Sequence, residues 1–161
     1  MALMGIQQIM LGGVLGSRQE AKQSLQAVET AGFQAIELNG FMIRKTPAIV
    51  RMLTRFAGMP TGRSGNLNWP ELLSFTGLKV VALHEALQAI NDNPQMIADT
   101  ARLYDTKNIV VTGMYRFDYS NVDALKKLAE SLNLAGEKLT EHGLICCTII
   151  ITVSFYESKK I

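Results

Sequence analysis

The side chains best equipped for chemistry stand at the ends of apolar runs. His84 and Glu85 close the run that begins Leu78-Lys-Val-Val-Ala-Leu, and Glu37 and Asn39 stand at the end of Phe33-Gln-Ala-Ile. A carboxylate and an imidazole can serve as acid, base or hydrogen-bond partner to a bound ligand. Asn39, and Tyr115 and Arg116 beyond a third apolar run, are weaker candidates. Each has a plain structural alternative. Glu37 could be a strand-end carboxylate bonded to a neighbouring loop, and His84 a core histidine with a satisfied ring. His142 reads most simply as a helix C-terminal residue. Met4, Met10, Met42 and Met114 read as core or loop filler.

The adjacent Cys146 and Cys147 are poorly placed to pair, because neighbours on a strand point to opposite faces. Without histidine or further cysteine at ligand spacing they make no zinc site. They read as reduced thiols of a cytoplasmic protein.

These residues need strands and helices to position them. Met4 to Ile9 is expected as a first strand, followed by Gly12, Gly13 and Gly16 in a flexible loop. That glycine cluster lacks the Lys-Ser/Thr of a phosphate loop and does not fit dinucleotide spacing. Ser17 and Glu20 form a capping box that opens a helix ending at Gly32. The second strand is Phe33 to Leu38. Thr46-Pro47 and Asn93-Pro94 each pair a cap with proline at the first helical position. Gly58 to Asn68 is a loop, and Pro70 to Phe75 a helical turn with Trp69 as an anchor. Leu78 to Leu83 is the third strand and Asn108 to Thr112 the fourth. Asn121 caps a long helix reaching Glu141, and Leu144 opens a fifth strand.

The resulting order is four βα units plus a fifth strand. Its continuously apolar strands imply parallel pairing with both faces covered, joined by right-handed crossovers. Strands roughly 30 to 40 residues apart match a barrel of about 250 residues, so the expected fold is α/β, a partial (β/α)8 TIM barrel. The chain has 161 residues, 48% hydrophobic and 19% charged, with a net charge of +2. That is a globular composition with a near-neutral balance, which gives no reason to invoke nucleic acid or an anionic membrane. No apolar run is long enough for a membrane span, and the N-terminus has no basic segment of the signal-peptide kind.

Several segments, in order and at fitting spacing, carry a resemblance. Gly5-Ile-Gln, Ala31-Gly-Phe-Gln-Ala-Ile-Glu-Leu-Asn-Gly-Phe41 and Gly77-Leu-Lys-Val-Val-Ala-Leu-His84 resemble the sugar phosphate isomerase/epimerase family. So do Tyr104-Asp-Thr-Lys-Asn-Ile-Val-Val111, Asn133-Leu-Ala-Gly-Glu-Lys-Leu139 and His142-Gly-Leu144. This is the xylose isomerase-like barrel group. The resemblance implies proton transfer next to a carbonyl on a small-molecule sugar or polyol. It implies a divalent metal (Mn, Mg, Co or Zn) in the full-length family, held by carboxylates and a histidine on later strands. This chain is therefore expected to lack tight metal binding and to be impaired. Glu37, His84, Asn39 and Tyr115 would be substrate-side groups, with no catalytic or metal-ligating residue assigned. Glu85 departs from the family, which often has a small or apolar residue there.

Residues 1–147 read as the N-terminal half of such a barrel, and 148–161 as an atypical tail. The family's fifth strand usually continues as Tyr-His-Asn-His, where this chain has Thr148-Ile-Ile-Ile-Thr. Back-translated and read from the third base of each codon, that stretch permits Tyr-His-Asn-His. A frameshift near Cys147 is the expectation, with a genuine β-branched strand as the alternative. A barrel lacking its second half would expose its interior and two strand edges, so self-association is expected. The alternatives are a non-enzymatic half-barrel interaction module and, less well supported, an endonuclease IV-like metal nuclease.

Overall fold

A sequential order of parallel strands places the crossover helices on one side of the sheet. In a computed structural model, which describes residues 3–45, 52, 64–112 and 117–149, five strands lie in the order β1-β2-β3-β4-β5. They are β1 (Gly5–Gln7), β2 (Ala35–Asn39), β3 (Lys79–Glu85), β4 (Asn108–Thr112) and β5 (Ile145–Ile149), and each adjacent pair is parallel. Sequential order with right-handed crossovers places successive helices on the same face. A doubly wound sheet would reverse its order part-way. The sheet therefore has one face packed against the helices, and the opposite face is the one that lines the interior in a barrel.

The helices begin where the sequence provides caps. Asn68, Asn93 and Asn121 accept the amides of Glu71, Met96 and Ala124, opening α3 (Trp69–Ser74), α5 (Pro94–Leu103) and α6 (Val122–Glu141). Ser17 accepts the Glu20 amide at 3.2 Å and opens α1 (Arg18–Thr30). The capping box is only half made, since Glu20 accepts from the Ser17 hydroxyl and not from the cap amide. Gly32, at φ +94°, ends α1 in the left-handed region that glycine enters freely.

The remaining helices are α2 (Gly40–Ile43) and α4 (Leu87–Asp92). The first strand is shorter than expected, because Gln8–Val14 winds into a 3-10 helix that includes Gly12 and Gly13. The third strand is longer and carries His84 and Glu85 within it. The second strand begins later, at Ala35. The helix expected from Thr46-Pro47, most of the Gly58–Asn68 loop and residues 150–161 lie outside the described residues; Thr148 and Ile149 continue β5.

One core joins the layers. Leu25 and Val28 of α1, Ile97 and Ala101 of α5, and Ala135 and Leu139 of α6 pack on Ile36, Leu38, Leu83, Ile109 and Val111. Trp69 is buried there too, its Nε1–H donating to the Ser64 carbonyl at 2.9 Å. The anchor reading of Trp69 thus gains a polar partner, as a buried indole requires.

Candidate functional site

Side chains alternate between faces along a strand, so the core contacts decide which residues reach the face away from the helices. Ile36 and Leu38 belong to the core, which leaves Glu37 on the opposite side. In β3, Val80 and Leu83 both pack on the core although they are three positions apart. A regular strand cannot do this. The register resolves the conflict: Ile36 pairs with Val80 and Glu37 with Ala82, so Val81 is an extra residue in a β-bulge. Beyond it, Leu83 faces the helices, His84 the opposite side and Glu85 the helices again.

The two neighbours therefore do different things. His84 Nε2 lies 2.8 Å from Glu37 Oε2, and the amide nitrogen of Gln7 lies 3.2 Å from either ring nitrogen. In a neutral ring, the tautomer with its proton on Nε2 donates to Glu37 and leaves Nδ1 to accept from Gln7. The His84 side chain is 2% exposed and that of Glu37 35%. The histidine thus is buried with its ring nitrogens partnered. It sits behind the carboxylate and orients it.

Glu85 pairs through both carboxylate oxygens with the Arg44 guanidinium, one contact being 2.9 Å, and Arg44 also donates to Thr100 Oγ1 at 3.4 Å. The Glu85 carboxylate presses against Gly40, where any Cβ would overlap it. A side chain there would have to displace the Glu85 carboxylate from its place beside Arg44. The residue that departs from the resemblance thus ties Arg44, and with it the segment after β2, to β3, and Arg44 in turn reaches α5 through Thr100. Tyr104, near this cluster, has its phenol pushed up to about 12 by burial, with Arg44 opposing the shift.

Asn39, level with His84 in the sheet, has its backbone amide held by Gln8 Oε1 at 2.7 Å. The side-chain amide nitrogens of Asn39 and Gln8 are buried with no hydrogen-bond partner among the described residues, each at a cost of about 1–3 kcal/mol. Tyr115 and Arg116 lie outside the described residues. Gln7 was missed as a candidate. Its signal was a polar residue interrupting the first apolar run at the C-terminal end of a strand.

The geometry suits ligand hydroxyl groups better than a metal ion. His84 engages one oxygen of Glu37, and among the described residues no group of three or more His, Cys, Asp or Glu is arranged to hold a metal. These residues do not fit a divalent ion. Cys146 and Cys147 are free thiols. Burial first, and Cys147 second, raise the Cys146 thiol, which makes it a weak nucleophile at neutral pH. A groove beside these cysteines, lined also by Leu132 and Gly136, lies at the β5 edge and away from Glu37.

Searches against protein-family models and against curated proteins give no match. Solved structures do match. A sugar phosphate isomerase/epimerase from Parabacteroides distasonis ATCC 8503 aligns over 91% of this chain and 50% of its own, with TM-score 0.63 and 17% identity. The chain has the fold of a partial (β/α) barrel. The IolI protein, solved with a bound zinc atom, aligns over 91% of this chain and 51% of its own, with TM-score 0.54 and 13% identity. The chain thus spans about half the length of the solved structures it matches, and the likeness is one of fold. Among the described residues, no helix is long and apolar enough to cross a membrane.

Proposed function

We propose that the chain is sugar (phosphate) isomerase/epimerase-like, with its described strands forming the substrate-holding side of the barrel. The observation that carries this is the partly exposed Glu37 carboxylate, oriented by the buried His84, which Gln7 holds in turn, on the face away from the helices near the C-terminal ends of the strands. Barrel enzymes place their active sites at that end. A fixed carboxylate accepts hydrogen bonds from sugar hydroxyls, and the imidazole keeps it from turning away. Proton transfer next to a carbonyl needs a base and a polarising group as well. We assign neither to the described strands. Two free thiols support a cytoplasmic location.

A second reading, an association module, rests on the sheet edges. Among the described residues β1 and β5 each have one neighbouring strand, and Ile145 is 54% exposed. Such edges are templates for pairing with a second copy of the chain.

The test of the first reading is calorimetric binding of a ketose and of its phosphate ester to wild type and Glu37→Gln. A hydrogen bond to a charged group contributes about 1.5–3 kcal/mol, so the substitution weakens binding roughly 10- to 100-fold. Equal affinity in the two proteins would remove Glu37 from the site.

A further inference from the structure

We infer that Asn108 is a positioning residue for the Glu37–His84 pair, acting through the Val81 bulge. Its functional meaning rests on the sugar-site reading above; its structural claim does not.

The bulge decides which of two adjacent polar residues enters the site. Leu78 and Val80 pack on the core, and so does Leu83. Were β3 regular with Val80 kept on the core, His84 would share that face and Glu85 would occupy the opposite one. Glu37 would then meet a carboxylate where it now meets an imidazole, and Arg44 would lose its partner. One extra residue between Val80 and Ala82 prevents both errors.

A bulge disrupts the local ladder and needs its backbone groups satisfied elsewhere. Asn108 supplies that partner. Its Nδ2 donates to the Val81 carbonyl at 2.8 Å. Asn108 opens β4, one step before Ile109, which pairs with Leu83. It therefore stands beside the bulge and fixes it from the adjacent strand. The Asn108 side chain bonds the bulge and not the carboxylate or the imidazole; its effect is on which face His84 takes.

Deleting Val81 gives a decisive control, because it removes the extra residue and leaves Val80, Ala82, Leu83 and His84 in regular alternation with their present faces. The experiment compares the full chain, Asn108→Leu, a Val81 deletion, and the two combined. NMR reads the nuclear Overhauser contacts between the His84 ring and the Glu37 and Gln7 side chains. The chain has two histidines, so substitution of His142 assigns the ring signals. The expected result is loss of these contacts in Asn108→Leu, their retention in the deletion, and their return in the combined variant. Retention in Asn108→Leu, or failure of the combined variant to regain them, overturns the inference. If Asn108→Leu does not fold, the combined variant decides: recovery of fold and contacts supports the bulge role, and a second unfolded protein refutes it. No sugar enters this experiment, so failure to bind sugar leaves its outcome readable.

Discussion

Replacing Arg44 with methionine strands a buried carboxylate. The Glu85 side chain is 2% exposed and that of Arg44 27%, and the two are joined by both carboxylate oxygens. Removing one partner of a buried ion pair costs about 3–5 kcal/mol, because the remaining charge is neither solvated nor paired. For a chain of this size each kcal/mol moves the melting temperature by roughly 2–4 °C, so Arg44→Met is expected to melt roughly 6–20 °C lower. Replacing both partners removes the uncompensated charge. Arg44→Met with Glu85→Met is therefore expected within about 1 kcal/mol of wild type, or above it. Urea unfolding of the four proteins closes a double-mutant cycle with a large favourable coupling. Additive losses, or an Arg44→Met protein as stable as wild type, would refute the claim that Glu85 is buried on the helix side of β3.

Other expectations follow from single contacts. Gly40→Ala forces a methyl into the Glu85 carboxylate and should cost about 1–3 kcal/mol in chemical unfolding. Trp69→Ala empties a site that is 1% exposed and should cost about 3–5 kcal/mol. The Tyr104 phenol, raised from 10.0 to about 12 by burial, makes the folded state hold a proton that the unfolded chain releases. Its stabilisation is thus complete below pH 10 and lost as pH rises towards about 12, seen as a falling melting temperature and a late phase in the ultraviolet tyrosinate titration. Sedimentation of the isolated chain should show concentration-dependent association; a sharp monomer at all concentrations would count against pairing through β1 and β5.

Local signals in the sequence predicted local structure well. Asn93 and Asn121 announce helix starts through one short-range hydrogen bond each, and such bonds need only neighbours in the chain; Asn68, read as the end of a loop, caps a helix in the same way. The barrel-like order followed from the alternation of strands and helices. Face assignment in β3 did not, because Leu78-Lys-Val-Val-Ala-Leu is apolar throughout except Lys79 and shows no period. Only the long-range pairing of Val80 with Ile36, and of Ala82 with Glu37, reveals the extra residue. His84 and Glu85 were therefore legible as strand-end chemistry but not as residues of opposite faces. The Arg44–Glu85 pair, 41 positions apart in the chain, left no signal in either local sequence. Gln7 was visible as a break in an apolar run, yet its partner, 77 positions away, was not.

The measurement that bears most directly on the account is amide and side-chain shift mapping of the chain on addition of a ketose. The account predicts shifts gathered at Gln7, Glu37 and His84, near the C-terminal ends of β1, β2 and β3, and abolished by Glu37→Gln. Shifts gathered instead at the α6–β5 groove around Leu132 and Cys146, or none at millimolar sugar, would contradict it.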